Sequence, residues 1–378
     1  MKKVRYAAGL FLACMVTSLT ACSKVQQPEA VQKQAVEVQV QANDNEAGSS
    51  LEVHFLDVGQ GDCTLLLCDG EAMLIDAGTN DSGTAIQLYL TKRGVKDLKY
   101  FVITHDDSDH EGGADVILTK FGVENLFMCA FPKDTRTHQE VLDAIQYKNL
   151  SWSTPSPGDT YFLGGASFTI VAPNKSYTTP NNSSIALLIS HGNNSFLFTG
   201  DCEEEAEADM LLSGLELDAD VYKVGHHGSN TASSQAFLDV VTPEFAVISC
   251  GSNNSYGHPR AETLNKLRAM DVQVYRTDEQ GTIVCSSDGE MLTWNAAPST
   301  TWQAGEPTGS AITENTAQTA GVTQAADEGK KDVMVWLSAT GSKYHSKNNC
   351  GNMNPSKATQ TTEQDAIAKG KGKCSKCW

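Results

Sequence analysis

Positive charge, aromatic side chains and long apolar stretches are what this chain has little of. Its 28 Lys and Arg stand against 46 Asp and Glu, a net charge of −18. Such acidity repels polyphosphates at long range and argues against a generic nucleic-acid binder held by charge alone. Aromatics make up only 7% of the residues and mean hydropathy is −0.30, values of a globular protein that exclude a polytopic membrane protein. The apolar run from Tyr6 to about Leu19 is too short to span a bilayer comfortably. At 378 residues the chain exceeds one average domain and suits a large domain joined to a small one.

Lys2, Lys3 and Arg5 precede the apolar run, which ends in Leu19-Thr20-Ala21-Cys22. This is the pattern of a signal peptide, and its end resembles a bacterial lipobox. Residues 1–21 are therefore expected to be cleaved and Cys22 to take a lipid, tethering the protein to the outer, extracytoplasmic face of a bacterial cell membrane. Residues 22–50, polar and without hydrophobic period, read as a disordered tether. From Leu51 short β-type runs separated by glycine-rich turns give way to alternating strands and helices, in two successive mixed halves up to residue 296. That order predicts a layered α/β domain with its ligand site on loops leaving strand ends. Residues 297–330, poor in large apolar side chains, read as a disordered linker, and 331–378 as a small module. From Lys330 onward nine lysines face three acidic residues, so contact with an anionic polymer or cell wall falls to this tail.

The densest chemistry lies in Thr104-His105-Asp106-Asp107-Ser108-Asp109-His110-Glu111-Gly112-Gly113, between a hydrophobic strand and a helix. In H-x-D-x-D-H spacing, His105 and Asp107 can face one cation while Asp109 and His110, at the helix start, face a second. Gly112 and Gly113 let the backbone turn closely there. His54, His138 and His191 lack ligand spacing and read as ordinary strand or surface residues. Lys223 alternates outward from its strand, and Cys63, Cys68, Cys129, Cys202, Cys250 and Cys285 read as buried thiols.

The loop resembles the metal signature of the metallo-β-lactamase superfamily, with Asp107 in place of the second His of its commonest form. Further segments resemble the hydrolase domain of ComEC-type DNA-uptake proteins and related extracellular phosphodiesterases. They are Phe55-Leu-Asp-Val-Gly-Gln-Gly-Asp62, Met73-Leu-Ile-Asp-Ala-Gly78, Thr199-Gly-Asp201, Val224-Gly-His-His-Gly-Ser229 and Tyr256-Gly-His-Pro259, in the family's order over about Leu51 to Asn295. The resemblance implies an αββα four-layer sandwich and a site holding one or two divalent ions. It assigns Asp201 to the carboxylate bridging two metals and His226 or His227 to the last imidazole ligand, the other lining the pocket. His226, nearer the strand end, is the expected ligand. Asp76 is implied to brace the metal loop through hydrogen bonds. Asn181-Asn182-Ser183-Ser184 replaces the usual third-motif His, with Asn182 expected beside the ligands, and the resulting oxygen-rich site suits Mn²⁺ as well as Zn²⁺.

These residues support metal-assisted hydrolysis, with Asp109 orienting the attacking water, His258 donating a proton to the leaving oxygen or contacting it, and His227 lining the pocket. The expected substrate is a phosphate ester, DNA among the candidates, which makes the protein a phosphodiesterase or nuclease. Alternatives on the same fold are phosphocholine esters, lactones or β-lactams, and a third reading is a non-catalytic lipoprotein that binds cell wall or DNA. In the small module His345, Cys350, Cys374 and Cys377 form a set that closes a tetrahedral zinc site when its halves meet. In an oxidising compartment a disulfide from Cys350 to Cys374 or Cys377 competes.

Overall fold

The computed structural model describes residues 49–131, 133–305, 334–337, 343–347, 350, 358–362, 366, 369, 371–374 and 377. Cys22, the signal peptide and most of the expected linker lie outside them. The chain divides into two compact units, 1–310 and 311–378.

In the larger unit, strands β1 (Leu51–Phe55), β2 (Thr64–Cys68), β3 (Glu71–Ile75), β4 (Asp97–Ile103), β5 (Gly122–Met128) and β6 (Trp152–Ser153) build most of one sheet. A second sheet takes β7 (Thr160–Leu163), β8 (Ala166–Ala172), β9 (Ala186–His191), β10 (Asn194–Phe198), β11 (Val221–Lys223), β12 (Phe245–Ile248) and β13 (Gln273–Arg276), before β14 (Ile283–Ser287) and β15 (Leu292–Trp294) return to the first. The strand orders are β15-β14-β1-β2-β3-β4-β5-β6 and β13-β12-β11-β10-β9-β8-β7. Each sheet mixes antiparallel hairpins with a parallel run, β3-β4-β5-β6 in one and β10-β11-β12-β13 in the other.

Three apolar clusters define the layers. Val53, Phe55 and Val102 meet Phe168, Phe196 and Val221 between the sheets. On the outer face of the first sheet, Leu65, Leu74 and Phe101 pack against helices α1 (Gly83–Lys92), α3 (Ala114–Lys120) and α4 (Arg136–Tyr147) through Ile86, Ile117 and Val141, the four-residue α2 (Ser108–Glu111) lying in the metal loop. Leu188, Leu197 and Tyr222 on the second sheet pack against α5 (Glu204–Ser213), α6 (Gln235–Val241) and α7 (Ala261–Ala269) through Ala206, Phe237 and Leu264. The result is an αββα four-layer sandwich of the metallo-β-lactamase type. Its central strands are covered on both faces, so they are continuously apolar rather than alternating. Among the described residues no helix is long and apolar enough to cross a membrane.

Helix α1 is an element that the sequence does not predict, because it opens on Gly83-Thr84, weak helix formers. Its placement explains the glycine: a Cβ on Gly83 would sit 2.9 Å from Val116 of α3. Residues 299–305, which the sequence assigns to the linker, lie on the domain, with Ser299 N donating to Val274 O and Gly305 N to Pro259 O.

Among its described residues the smaller unit has four strands, β16 (Met334–Leu337), β17 (Lys343–His345), β18 (Thr359–Thr362) and β19 (Gly372–Lys373), in the order β18-β16-β17-β19. Its apolar cluster is Val335, Tyr344 and Ala366 with Leu337 against it.

Candidate metal centre

The parallel strands end together, and the loops that leave them carry the polar residues. Asp76 follows β3, the His105–His110 loop follows β4, Asp201 follows β10, the His226-His227 pair follows β11 and His258 lies beyond β12. Gly112 and Gly113 let the metal loop lie against the turn after β3, since a Cβ there would sit 2.3 Å from Asn80 N or 2.5 Å from Ala77 O.

Asp76 binds the loop from beneath. Its carboxylate accepts from Thr104 N at 2.7 Å and Thr104 Oγ1 at 2.8 Å, and lies 2.8 Å from His110 Nδ1. That contact leaves His110 Nε2 facing the cluster, 3.3 Å from Asp201 Oδ1 and 3.3 Å from His227 Nε2. His227 is fixed in the same way: Nδ1 lies 3.0 Å from Ser249 O, and Nε2 points at Asp109 Oδ2, 3.3 Å away, and Asp201 Oδ2, 3.6 Å away. A contact at one ring nitrogen sets the tautomer and frees the other as a ligand.

Of the histidine pair, then, the structure draws His227 into the cluster rather than the expected His226. Both residues have left-handed backbone, φ 49° and 53°, so the chain reverses within the pair and distance from the strand end does not rank the rings. His227 is 1% exposed. His226 sits at the rim, its Nε2 3.6 Å from Asp201 Oδ2 and its Nδ1 3.4 Å from Glu203 Oε1. His258 is buried with Nδ1 unpaired, and its ring lies 5.5 Å from that of His226 and 6.2 Å from that of His227. Burial and then the neighbouring His227 and His226 charges push its pKa down to about 3.

His105 and Asp107 form an adjoining pair, with Nε2 and Oδ2 3.7 Å apart. Asn182, expected beside the ligands, instead faces α5: its Oδ1 accepts from Glu203 N and its Nδ2 donates to Glu205. Ser184 takes that place, its Oγ 3.3 Å from His105 Nδ1 and accepting from Asp201 N.

Two residues without an assigned role in the sequence also belong to the site. Asp62, at the end of the Gly-Gln-Gly turn, joins His110, Asp201 and His227 in a buried group whose ligand atoms all lie within 4.8 Å of one another. Lys223, expected to point outward, is 3% exposed and donates to Asp62 Oδ2 at 2.8 Å. Both faces of β11 are covered, so alternation leaves Lys223 no outward side. Asp62 carries a local signal, a carboxylate closing a glycine-rich turn, whereas Lys223 carries none.

The electrostatics fit a cation. Burial alone would push the His110 and His227 rings down, yet Asp201 and Asp76 hold His110 well above its ordinary value, and Asp201 and Asp62 lift His227 to about 10. Burial would likewise raise Asp62 and Asp201, but Lys223 and His227 hold the first low, and His110 and His227 the second. A ring of carboxylates that favours positive charge at two buried imidazoles is one that a divalent ion would satisfy. His105 Nε2, Asp62 Oδ1 and Asp201 Oδ1 are, moreover, buried with no hydrogen-bond partner, as donor atoms reserved for a metal would be. Residues 56–252, just over half of the chain, match the model of the metallo-beta-lactamase superfamily.

The chain belongs to the metallo-beta-lactamase superfamily. Members of that superfamily bind divalent metals, and the chain's relatives are ComEC-type competence proteins. It is 31% identical to ComE operon protein 3 of Bacillus subtilis over 65% of this chain and 34% of that protein. It is also 31% identical to Recombination protein 2 of Haemophilus influenzae, over 61% of this chain and 28% of that one. The chain thus spans about a third or less of the length of these curated relatives. Among solved structures, the metallo-beta-lactamase fold protein YhfI of Bacillus subtilis is 12% identical over 64% of this chain and 100% of that one, with a TM-score of 0.43.

In the small unit, His345, Cys350, Cys374 and Cys377 likewise offer ligand atoms within 4.8 Å of one another. Cys350 Sγ lies 3.7 Å from Cys374 Sγ, and Cys377 Sγ lies 3.7 Å from His345 Nδ1. The sulfur separation is far beyond the ~2.05 Å of a disulfide. It is near the ~3.8 Å edge of a tetrahedron with ~2.3 Å zinc–sulfur bonds.

Proposed function

We propose that this protein is an extracytoplasmic, lipid-anchored phosphodiesterase or nuclease. The observation that carries the reading is the acid-rich donor set: Asp107, Asp109 and Asp201 with Asp62 behind them, against His105, His110 and His227. Oxygen-rich sites of this kind suit Mn²⁺ or Zn²⁺ and phosphoryl chemistry. Asp109, His110, Asp201 and His227 would hold one ion, and the adjoining pair His105 and Asp107 a second. When bound, such ions supply Lewis acidity for hydrolysis.

The protein's own groups do the rest. Asp76 and the Ser249 carbonyl hold the His110 and His227 rings in their ligating orientation. Asp109, partly exposed, orients the attacking water. His258, kept neutral by burial and adjacent charge, carries no acidic proton to transfer, so of its two expected roles it keeps the second: beside the rim histidine it would contact the leaving oxygen through a hydrogen bond, the proton itself coming from water. The relatives' names, which speak of recombination and, for ComA of Neisseria gonorrhoeae, of competence, support a nucleic-acid substrate.

Anchoring rests on the lipobox-like end at Cys22. A zinc ion held by His345, Cys350, Cys374 and Cys377 would staple the small module, whose lysines present a contact for cell wall or another anionic polymer. Metal analysis of the purified chain, with turnover of bis-p-nitrophenyl phosphate, single-stranded DNA, duplex DNA and nitrocefin, tests the reading. Manganese- or zinc-dependent cleavage of the phosphodiesters is expected, and cleavage of nitrocefin alone would replace it with β-lactam hydrolysis.

A further inference from the structure

The loop that carries His258 also carries a guanidinium with nothing to bind. Arg260 stands two positions beyond His258 and is partly exposed, yet its Nε is buried without a hydrogen-bond partner. Among the described residues its side chain makes no ion pair and no hydrogen bond. The backbone around it is fixed: His258 N donates to Asn254 Oδ1 at 3.0 Å, Arg260 N to Gly228 O at 2.8 Å and Gly305 N to Pro259 O at 2.9 Å. Gly228 directly follows His227, so the arginine is tied to the ligand loop itself. Burial and then the charges of His227, His226 and Arg260 hold the His258 ring down, which puts the guanidinium's field at the rim of the metal centre.

The other cations near the metal loops are engaged. Lys223 is buried on Asp62, Lys133 donates to Asp107, and Lys175 is paired with Glu205 and Asp209. Glu262, the nearest acid in sequence, is two positions on, a spacing at which helical side chains do not face one another. In a chain of net charge −18 carboxylates are plentiful, and Arg260 has none. A buried Nε–H without an acceptor costs free energy that an anion in the guanidinium fork removes.

We propose that Arg260 is an anion subsite of the metal centre: it holds a second phosphate of the substrate, carried by the leaving group, while the scissile ester lies at the cluster. The inference rests on the phosphodiesterase reading. It narrows the substrate class to esters whose leaving group bears a phosphate of its own, the repeating chemistry of a phosphodiester polymer. The side follows from His258, which would contact the leaving oxygen and is the site residue nearest Arg260 along the chain. Two parallel N–H···O contacts from one guanidinium suit a phosphate and give the subsite its selectivity.

The test uses the full metal-loaded chain and two pairs of probes, with affinities measured by calorimetry. Thymidine 3′,5′-bisphosphate is set against thymidine 5′-monophosphate, and glycerol 1,3-bisphosphate against glycerol 1-phosphate. The second phosphate is expected to tighten binding roughly tenfold to a hundredfold. Arg260→Met keeps the apolar stem and should bring each bisphosphate to the affinity of its monophosphate, while Arg260→Lys should keep part of the margin. Turnover of the dinucleotide thymidylyl-thymidine, bare or with a terminal phosphate at either end, is followed in parallel, because its products show which oxygen leaves. A phosphate on the leaving side should raise kcat/KM by a similar factor, and only while Arg260 is present.

The absence of a margin in both pairs, or a margin that Arg260→Met leaves intact, overturns the subsite. A margin confined to the nucleotides or to the glycerol esters, and lost in Arg260→Met, supports it and names the polymer as nucleic acid or polyol phosphate. Should the margin depend on Arg260 while no phosphodiester is cleaved, the subsite stands and the phosphodiesterase reading falls. Should the added phosphate speed cleavage in Arg260→Met as much as in the wild type, the subsite falls and that reading stands.

Discussion

The two clusters of ligand-type side chains stand in opposite relations to the polypeptide around them. In the hydrolase domain Asp62, His110, Asp201 and His227 are buried, on loops fixed by two packed sheets. The contacts that orient their rings, from Asp76 and the Ser249 carbonyl, are made by protein alone. In the small module the four ligand residues come from a unit whose apolar cluster is Val335, Tyr344 and Ala366 with Leu337. Among the described residues that is a small core, and a unit of under about 50 residues benefits from a metal staple. The large domain orients its ligands by its own packing, whereas the small module is the one expected to lean on its ion.

Metal removal should separate the two most widely. Structural zinc contributes about 10–16 kcal/mol to folding in small domains, so a strong chelator should unfold the module of the full chain and leave the hydrolase domain's melting cooperative. Hydrogen exchange read by mass spectrometry follows both at once. Protection should vanish from Met334–Leu337 and Lys343–His345 and persist in β4 and β10; equal loss in both regions would erase the distinction.

Ligand substitution is the converse test within the large domain. His110→Ala or Asp201→Ala should lower phosphodiester turnover on the order of a thousandfold or more, and the double variant should be scarcely worse, because both act through one shared ion. Thermal unfolding should stay cooperative, since the α/β core does not depend on the metal. His227→Ala should cost as much, while His226→Ala, at the rim, should cost at least about tenfold less. A variant pair with the opposite ranking would return the ligand role to His226.

This contrast also explains what was legible in the sequence. The H-x-D-x-D-H loop and the small module's Cys and His announce themselves because metal ligands are dense and local, and the strand–loop–helix order around them is set by short-range pattern, whereas Asp201 is given only by the family resemblance of Thr199-Gly-Asp201. Contacts between distant segments carry no such pattern. Lys223 meets Asp62 across 161 positions, on a strand covered on both faces, and Ser184 rather than Asn182 reaches His105 because the short helical turn at Asn181–Ser183 aims Asn182 at α5. The order of the two histidines depends on positive φ at both, which spacing does not encode.

The Lys223–Asp62 pair sharpens the claim that protein contacts, not metal, hold the large domain. Lys223→Met leaves the buried Asp62 carboxylate with only the His227 ring against it and should cost up to about 3–5 kcal/mol in the chelated protein. Adding Asp62→Asn should regain roughly 1–3 kcal/mol of that loss. Denaturant titration of the four species measures the coupling, and simple additivity would mean that the pair does not brace the site.

The smallest expected effect is a pH dependence at Glu111, the buried carboxyl next to His110 in sequence. Its Oε2 lies 3.0 Å from His138 Nδ1 and its Oε1 has no partner. Burial raises its pKa to about 7, with His138 pulling the other way. Because the folded value lies above the ordinary 4.5, the folded state holds a proton that the unfolded chain releases. The associated stability is fully present below pH 4.5 and is lost as pH rises to about 7, a swing of at most roughly 3 kcal/mol. Glu111→Gln cannot titrate. In chelated protein its stability relative to wild type should therefore climb by up to that amount between pH 4.5 and 8 and level off above. Denaturation curves for the two proteins across that range decide the matter. If they run parallel, Glu111 is ionised alike in both states, and the pocket behind the metal loop is wetter than its burial implies.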